Sequence, residues 1–393
     1  MRRASRSRAR EEALAAAAAV RVPARCDVVV VGGGASGLAA AIAAAERGAS
    51  VVVLERALEC GRSILATGNG RCNFSNSRLS WDRYNNPAFV EEVCGPHFGR
   101  DVLDFFEKCG LAWVEEEQGR LYPLSRQASS VREVLLARAR RAGVTLAPAR
   151  EVASLERSEG GYLITLAFDS QIDPKRGVMT HRVIYAAGGG EELTSSLGLT
   201  CTSNEPVLCS LACVATNDVS LEALDGRRAH VVARLLCDGS EVAVETGEVL
   251  FRPYGLSGIV IFDLSRLALP GDVISLDLLC GMDEGRARSL ADAAGGCAGV
   301  LDPAIAEALG PHALALARNL RFTVSGPAEP ERAQVTRGGL LTEQFCPETL
   351  EARELPGFFA CGEALDVDGA CGGFNLAWAW KSGLVAGHAA AQR

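Results

Sequence analysis

Glycines at the spacing of Gly32, Gly34 and Gly37, in the stretch DVVVVGGGASGLAAA from Asp27 to Ala41, suit one kind of chemistry: bringing a diphosphate against the backbone. Gly32 permits a tight turn, Gly34 leaves room for the pyrophosphate, and Gly37 lets the following helix pack closely on the preceding strand. A helix opening at Ala35 and Ser36 then offers free N–H groups and the positive end of its dipole to the phosphates. Glu55 ends the next strand, SVVVLE, where an acid binding a ribose is expected. A lone GxGxxG is a weak signal. Strand, turn, helix, second strand and acid in that order imply a bound nucleotide, whereas packing alone leaves Glu55 unexplained.

This pattern does not separate FAD from NAD. The far end of the chain bears on the choice. ACGEALDVDGACGGFNLAWAWKSG reads as a strand, then Gly362 and Glu363, then a glycine turn and an apolar helix. A carboxylate at Glu363 can bind ribityl or ribose hydroxyls. N–H groups of Gly372, Gly373, Phe374 and Asn375, opening the last helix, can face the pyrimidine edge of a flavin and stabilise its reduced anion. A simple NAD dehydrogenase does not require this return of the chain.

The segments GRSILATGNGRCNFSN, LFRPYGLSG, AQVTRGGL and GEALDVDGACGGFNLAWAWKSG together resemble the BaiN/RdsA-like family of FAD-dependent oxidoreductases, also labelled the aminoacetone oxidase family. The resemblance covers nearly all of the chain from Asp27 onward. It implies FAD held between the two ends of the chain. Thr67, Gly68, Asn69, Gly70, Arg71 and Asn73 would line the flavin, and Gly362, Glu363 and Gly372 to Asn375 would close over it. Arg56, Arg62, Val152 and Gly188 complete the expected cofactor-binding set. No motif places a His or Cys for a flavin bond, so the FAD is expected to be noncovalent. Three departures concern the substrate side. Ser63 stands where the family usually has Lys, Pro253 stands where it usually has His, and the loop in AAGGGEELTSSLG is short.

The resemblance implies an enzyme that uses NAD(P)H to reduce an activated C=C bond in an enone or bile-acid-like small molecule. An oxygen-dependent amine oxidase is the alternative. A flavin-binding sensor or electron-transfer partner is the alternative from another class. With no second GxGxxG after another strand, a nicotinamide would bind only transiently. The catalytic residue stays open. Tyr254 is a possible proton donor or a structural barrel tyrosine. Arg71 is a cation beside a glycine loop, and Cys371 is a thiol at the flavin-facing turn or a packed one.

Elements must position these residues. Val28 to Val31 reads as a buried strand, Ala35 to Arg47 as a helix, and helices follow near Phe89–Gly95, Arg100–Cys109 and Ser130–Ala142. VTLAPAREVASLER, GYLITLAFDS and GVMTHRVIYAAGGG read as strands. Short strands and an alanine-rich helical patch then suggest an insertion. The expected fold is α/β: a Rossmann-like FAD-binding domain from both chain ends, with an inserted β-rich, barrel-like domain carrying a small helical portion. The expected division is a leader at 1–25, disordered or helical, then 26–190, an insertion at 191–335, and a closing part at 336–393.

Composition narrows the rest. The net charge of −8 argues against nucleic acid and anionic membranes as partners and leaves a small-molecule substrate. Fourteen scattered cysteines without a CxxC pair suit free thiols in a reducing cytoplasm. No metal-ligand spacing occurs. No stretch reaches the ~20 apolar residues of a membrane span.

Overall fold

The structure is a computed structural model that describes residues 2–167, 177–188, 191–216 and 219–392, without the side chains of 2–9 and 191–192. Two compact units emerge, Met1–Glu205 with Arg337–Arg393, and Pro206–Thr336.

The first unit is built on a seven-stranded sheet. Its centre is Arg25–Val31, whose four successive valines are buried on both faces, as a covered parallel strand requires. Val51–Glu55 lies parallel on one side, from Val28 against Val51 to Val31 against Leu54, and Thr145–Pro148 lies parallel beyond it. Gly177–Tyr185 lies parallel on the other side, ending with Val31 against Tyr185. The first half of Gly177–Tyr185 pairs with the antiparallel hairpin Val152–Ser158 and Gly161–Leu166. Its second half takes the late strand Phe358–Ala360, again parallel. VTLAPAREVASLER is thus two strands, interrupted after Pro148 where Ala149 adopts φ +54°. The parallel strands end at one edge, which brings Gly32, Glu55, Ala186 and Gly362 together there.

Helix Ala35–Ala45 covers this sheet beside the last helix, Phe374–Ala390. A Cβ added to Gly383 would overlap the Ser36 carbonyl, and one on Gly387 the Ala40 carbonyl. The two glycines, four residues apart on one helix face, let the backbones touch in matching order, so the helices run parallel. Counting back from Gly383 to Phe374 and from Ser36 to Ala35, the last helix starts about 12 Å earlier along the common axis, at ~1.5 Å per residue. A small antiparallel sheet of Ser75–Asn76, Arg120–Pro123 and Trp113–Glu115, absent from the sequence reading, backs the loop that precedes it. The helix Arg2–Ala19 precedes the first strand, and the buried Arg150 guanidinium donates to the carbonyls of Ala17 and Val20.

The second unit is a closed six-stranded barrel of Ser210–Ala215, Gly255–Ser257, Ser240–Arg252, Arg228–Cys237, Val273–Asp277 and Leu320–Ala328. Leu211, Val231, Phe251, Ile274 and Phe322 fill it. Its alanine-rich stretch forms Glu284–Ala294, Pro303–Leu309 and Ala313–Ala317. The first two are N-capped by Asp283 and Asp302 side chains. The Rossmann-like fold made from both chain ends, with a β-barrel insertion, is therefore present. No disulfide joins any of the cysteines among the described residues. Among the described residues no helix is long and apolar enough to cross a membrane.

Candidate cofactor site

The three glycines of the turn do different work. Gly32 has φ +102°, and an added Cβ would lie 2.5 Å from the Ala186 carbonyl oxygen. A Cβ on Gly37 would overlap the Gly32 carbonyl oxygen. Both are glycine because protein atoms demand it. Gly34 differs: its φ of −79° suits any residue, and its added Cβ would meet only Ser63 Oγ, at 3.4 Å. Nothing in the chain fills the space that Cβ would take, in front of a helix whose N-cap has no side-chain hydrogen bond. Such a space has the form of a cradle that an anion could enter.

Glu55 braces the cradle. Its carboxylate accepts from the Gly33 N–H at 2.7 Å and the Ala57 N–H at 2.7 Å, which leaves lone pairs for further donors. The N–H groups of Ala149 and Arg150 donate to the carbonyls of Ala57 and Glu55. This sets Val152, at the start of its strand, beside the end of Val51–Glu55. Gly188, at φ +73°, follows Ala186 on the opposite side of the turn. Arg56 and Arg62 are exposed. Ala35 opens the helix and is half-buried. Ser36 is buried and turned toward the late strand: its Cβ would lie 2.8 Å from a Cβ on Gly362, and its hydroxyl bonds the Cys361 thiol.

GRSILATGNGRCNFSN folds as a 3-10 segment, Ser63–Gly70, that kinks at Thr67. Gly68, Asn69 and Gly70 all have positive φ, as does Cys72. The Cys72 N–H closes the kink onto the Thr67 carbonyl at 3.0 Å. Asn73 follows, and its buried Oδ1 has no hydrogen-bond partner. A Cβ on Gly373 would lie 2.9 Å from that oxygen, and the Asn76 amide donates to the Gly372 carbonyl at 2.9 Å. The kinked loop and the C-terminal glycine turn therefore meet. Gly373, at φ +100°, caps the last helix without a side-chain hydrogen bond. The Asn375 side chain instead accepts from the Gly369 N–H and donates to the Gly369 carbonyl, which closes the turn on itself. Phe374 is buried against Tyr84, whose hydroxyl donates to the Phe374 carbonyl. An uncapped helix start, a buried acceptor and a second uncapped start about 12 Å along a parallel axis suit an extended, phosphate-bearing cofactor with a polar ring.

Glu363 departs from the sequence reading, which takes it as an ionised carboxylate. The residue is open to solvent at its surface, while protein atoms crowd around its carboxyl. Desolvation, with the charge of Asp368, pushes its carboxyl up to about 7. Asp368 is fully buried and held by Arg337 through Nε and Nη2, at 2.8 and 3.0 Å. The Gly362 segment is fixed by the Ser382 hydroxyl, which accepts its N–H, and by Trp378 Nε1, which donates to its carbonyl.

The weak catalytic candidates fall in different places. Arg71 stacks over Tyr122, 4.3 Å from the ring centre, and pairs with Glu116. Cys371 is half-buried in the C-terminal turn. Tyr254 belongs to the second unit, where its hydroxyl contacts Glu329 at 3.1 Å and Ser210 at 3.4 Å rather than backbone. Burial pushes the Cys72 and Cys361 thiols up to about 12, against reactivity. Sequence reasoning missed Arg337, Asp368, Asn76, Ser382 and the glycine pair of the last helix. Only the last left a signal, the GxxxG spacing of Gly383 and Gly387.

Comparison with known proteins places this architecture. The family described as HI0933-like protein Rossmann domain matches residues 26–389. The chain is 33% identical over 414 residues to the 3-dehydro-bile acid delta(4,6)-reductase of Clostridium scindens, covering 93% of this chain and 98% of that protein. It is 27% identical over 401 residues to the ribosomal RNA dihydrouridine synthase of Escherichia coli, covering 91% and 96%. In fold it is similar to the 3-ketosteroid-delta4-(5alpha)-dehydrogenase of Rhodococcus jostii, with 17% identity, a TM-score of 0.50 and coverage of 95% and 98%. With the match spanning almost the whole chain, the protein belongs to the HI0933-like Rossmann family of FAD-dependent oxidoreductases.

Proposed function

We propose that the protein holds FAD noncovalently and reduces a C=C bond conjugated with a carbonyl in a small molecule, with NAD(P)H as the electron source. One observation carries the reading: two parallel helices begin at glycines without side-chain caps, their starts offset by about 12 Å. In this reading the N–H groups at Ala35, Ser36 and Gly37 receive the pyrophosphate, and Gly34 keeps the space open. Glu55 uses its remaining lone pairs for ribose hydroxyls, with Arg56, Arg62, Val152 and Gly188 around the adenosine end. Thr67 to Asn73 border the ring, and the N–H groups after Gly373 face its pyrimidine edge. Near neutral pH Glu363 is partly protonated, so it can donate to a ribityl hydroxyl as well as accept from one.

When bound, FAD supplies the hydride chemistry. The chain supplies orientation and fixed dipoles, which favour negative charge developing beside the last helix. Support for the reaction class comes from the relatives' names, since a delta(4,6)-reductase and a dihydrouridine synthase each saturate a C=C bond in a ring. The net charge of −8 weighs for a small molecule over RNA, and for a cytoplasmic enzyme free thiols weigh in the same direction.

Anaerobic mixing tests the proposal. NADPH or NADH should bleach the flavin absorbance, and a cyclic enone should restore it with the alkene saturated. Bleaching by an amine alone would replace the reading with an amine oxidase. Dihydrouridine formed in ribosomal RNA, with no enone turned over, would replace the substrate class. A yellow protein inert to every donor and acceptor would favour a sensor.

A further inference from the structure

Beside the kinked loop, Glu116 Oε1 accepts from two arginines at once, Arg71 Nη2 at 2.6 Å and Arg126 Nε at 2.6 Å. Two cations on one carboxylate give the trio itself one net positive charge, with the acids Glu115 and Glu117 adjacent in the chain. Desolvation works to raise the Glu116 carboxyl, but the hydrogen bonds and charges of Arg126 and Arg71 hold it below its ordinary value, so it remains the anion between them. Both arginines are partly open, with 41% and 49% of their side chains exposed, and each commits only one guanidinium nitrogen to Glu116. Tyr122 fixes one guanidinium by stacking under Arg71. Glu115 is turned to the Ser77 hydroxyl and Arg120 to Gln118.

Stability does not account for this arrangement, because exposed ion pairs contribute little. The backbone around it is also strained. Of the ten non-glycine residues at positive φ among the described residues, four are here: Asn69, Cys72, Gln118 and Arg126 itself at +52°. Such strain persists where the surroundings hold a residue for a purpose. Arg71 lies two residues before Asn73, which abuts the C-terminal glycine turn. The arginine pair thus borders the region that the proposed function assigns to the ring of FAD.

We propose that Arg71 and Arg126, held side by side by Glu116, form a fork for a carboxylate on the substrate, so that the preferred substrate is an acidic cyclic enone rather than a neutral one. The substrate class rests on the proposed function; the fork itself rests on the geometry. Guanidinium groups match a carboxylate with paired N–H donors, and a second guanidinium at the same place offers a second pair.

The test uses the FAD-loaded enzyme, wild type and Arg126→Asn, an exchange that a left-handed backbone tolerates. Turnover is measured on a steroid enone bearing a side-chain carboxylate and on its methyl ester. Binding of the saturated acid and its ester is measured by calorimetry. Wild type should prefer acid to ester by roughly 10- to 100-fold, and the variant should lose most of that preference, as expected for one charge-assisted pair. No preference in wild type, or one retained by Arg126→Asn, overturns the fork. Turnover of the ester by both proteins would in that case leave the reductase reading intact. A preference in binding that the variant loses, with no enone reduced, keeps the fork and sinks the reductase reading. Absence of both binding and turnover overturns both. If the variant instead loses discrimination between NADPH and NADH, the fork serves a nucleotide phosphate and the substrate proposal fails.

Discussion

Gly34→Ala and Gly37→Ala should separate binding from folding. At Gly34 the backbone is ordinary and the new methyl meets only Ser63 Oγ, at 3.4 Å. The structural cost is that of alanine in place of glycine at an N-cap, about 1 kcal/mol or less, offset in part by lower entropy of the unfolded chain. At ~2–4 °C per kcal/mol for domains of this size, the melting temperature of the FAD-free protein should move by less than about 4 °C. The same methyl keeps a pyrophosphate off the helix start. Losing two charge-assisted hydrogen bonds at ~1.5–3 kcal/mol each removes ~3–6 kcal/mol, a rise in the FAD Kd of roughly 10²- to 10⁴-fold. At Gly37 the methyl collides with the Gly32 carbonyl and lies 3.3 Å from Ala186 Cβ, backbone and strand that cannot easily give. Overpacking there should cost at least ~1–3 kcal/mol and lower the melting temperature whether or not FAD is present. Fluorescence titration of FAD into stripped protein, beside thermal melts, reads both. A Gly34→Ala protein with unchanged melting and wild-type FAD affinity would refute the cradle.

The remaining predictions concern the far side of the site. Glu363, shifted upward from 4.5 to about 7, adds no penalty below pH 4.5 and weakens the FAD-free fold as pH rises from there through about 7. Glu363→Gln should therefore melt higher than wild type at pH 8 and alike at pH 4.5; equal melting at both would show that the carboxyl is not enclosed. Arg337→Met strands the buried Asp368 carboxylate, which should cost about 3–5 kcal/mol, with part of the loss recovered in the double variant with Asp368→Asn. A denaturant titration in which the single variant matches wild type would discard that pair as a structural anchor. Acid precipitation should release all flavin into the supernatant, and yellow colour left in the pellet would contradict noncovalent binding.

The features legible in the sequence are local ones. The valine strand, the Gly32–Gly37 spacing and Glu55 at the next strand's end are short-range patterns, because backbone conformation and strand burial follow from neighbouring residues. The C-terminal glycine turn before an apolar helix was legible for the same reason. Tertiary structure decided what those residues face. Gly34 and Gly37 look alike in the motif, yet only folding sets Gly37 against a carbonyl and Gly34 against no more than the Ser63 hydroxyl. Gly383 and Gly387 have readable spacing, but their partners Ser36 and Ala40 lie 347 residues earlier in the chain. Arg71 reads as a loop cation until Glu116, 45 residues on, is brought to it. Glu363 reads as an ionised acid until folding crowds protein atoms around its carboxyl and sets Asp368 near it. Charge state and charge pairing depend on desolvation and distance, and both are set by contacts between segments that no local pattern encodes.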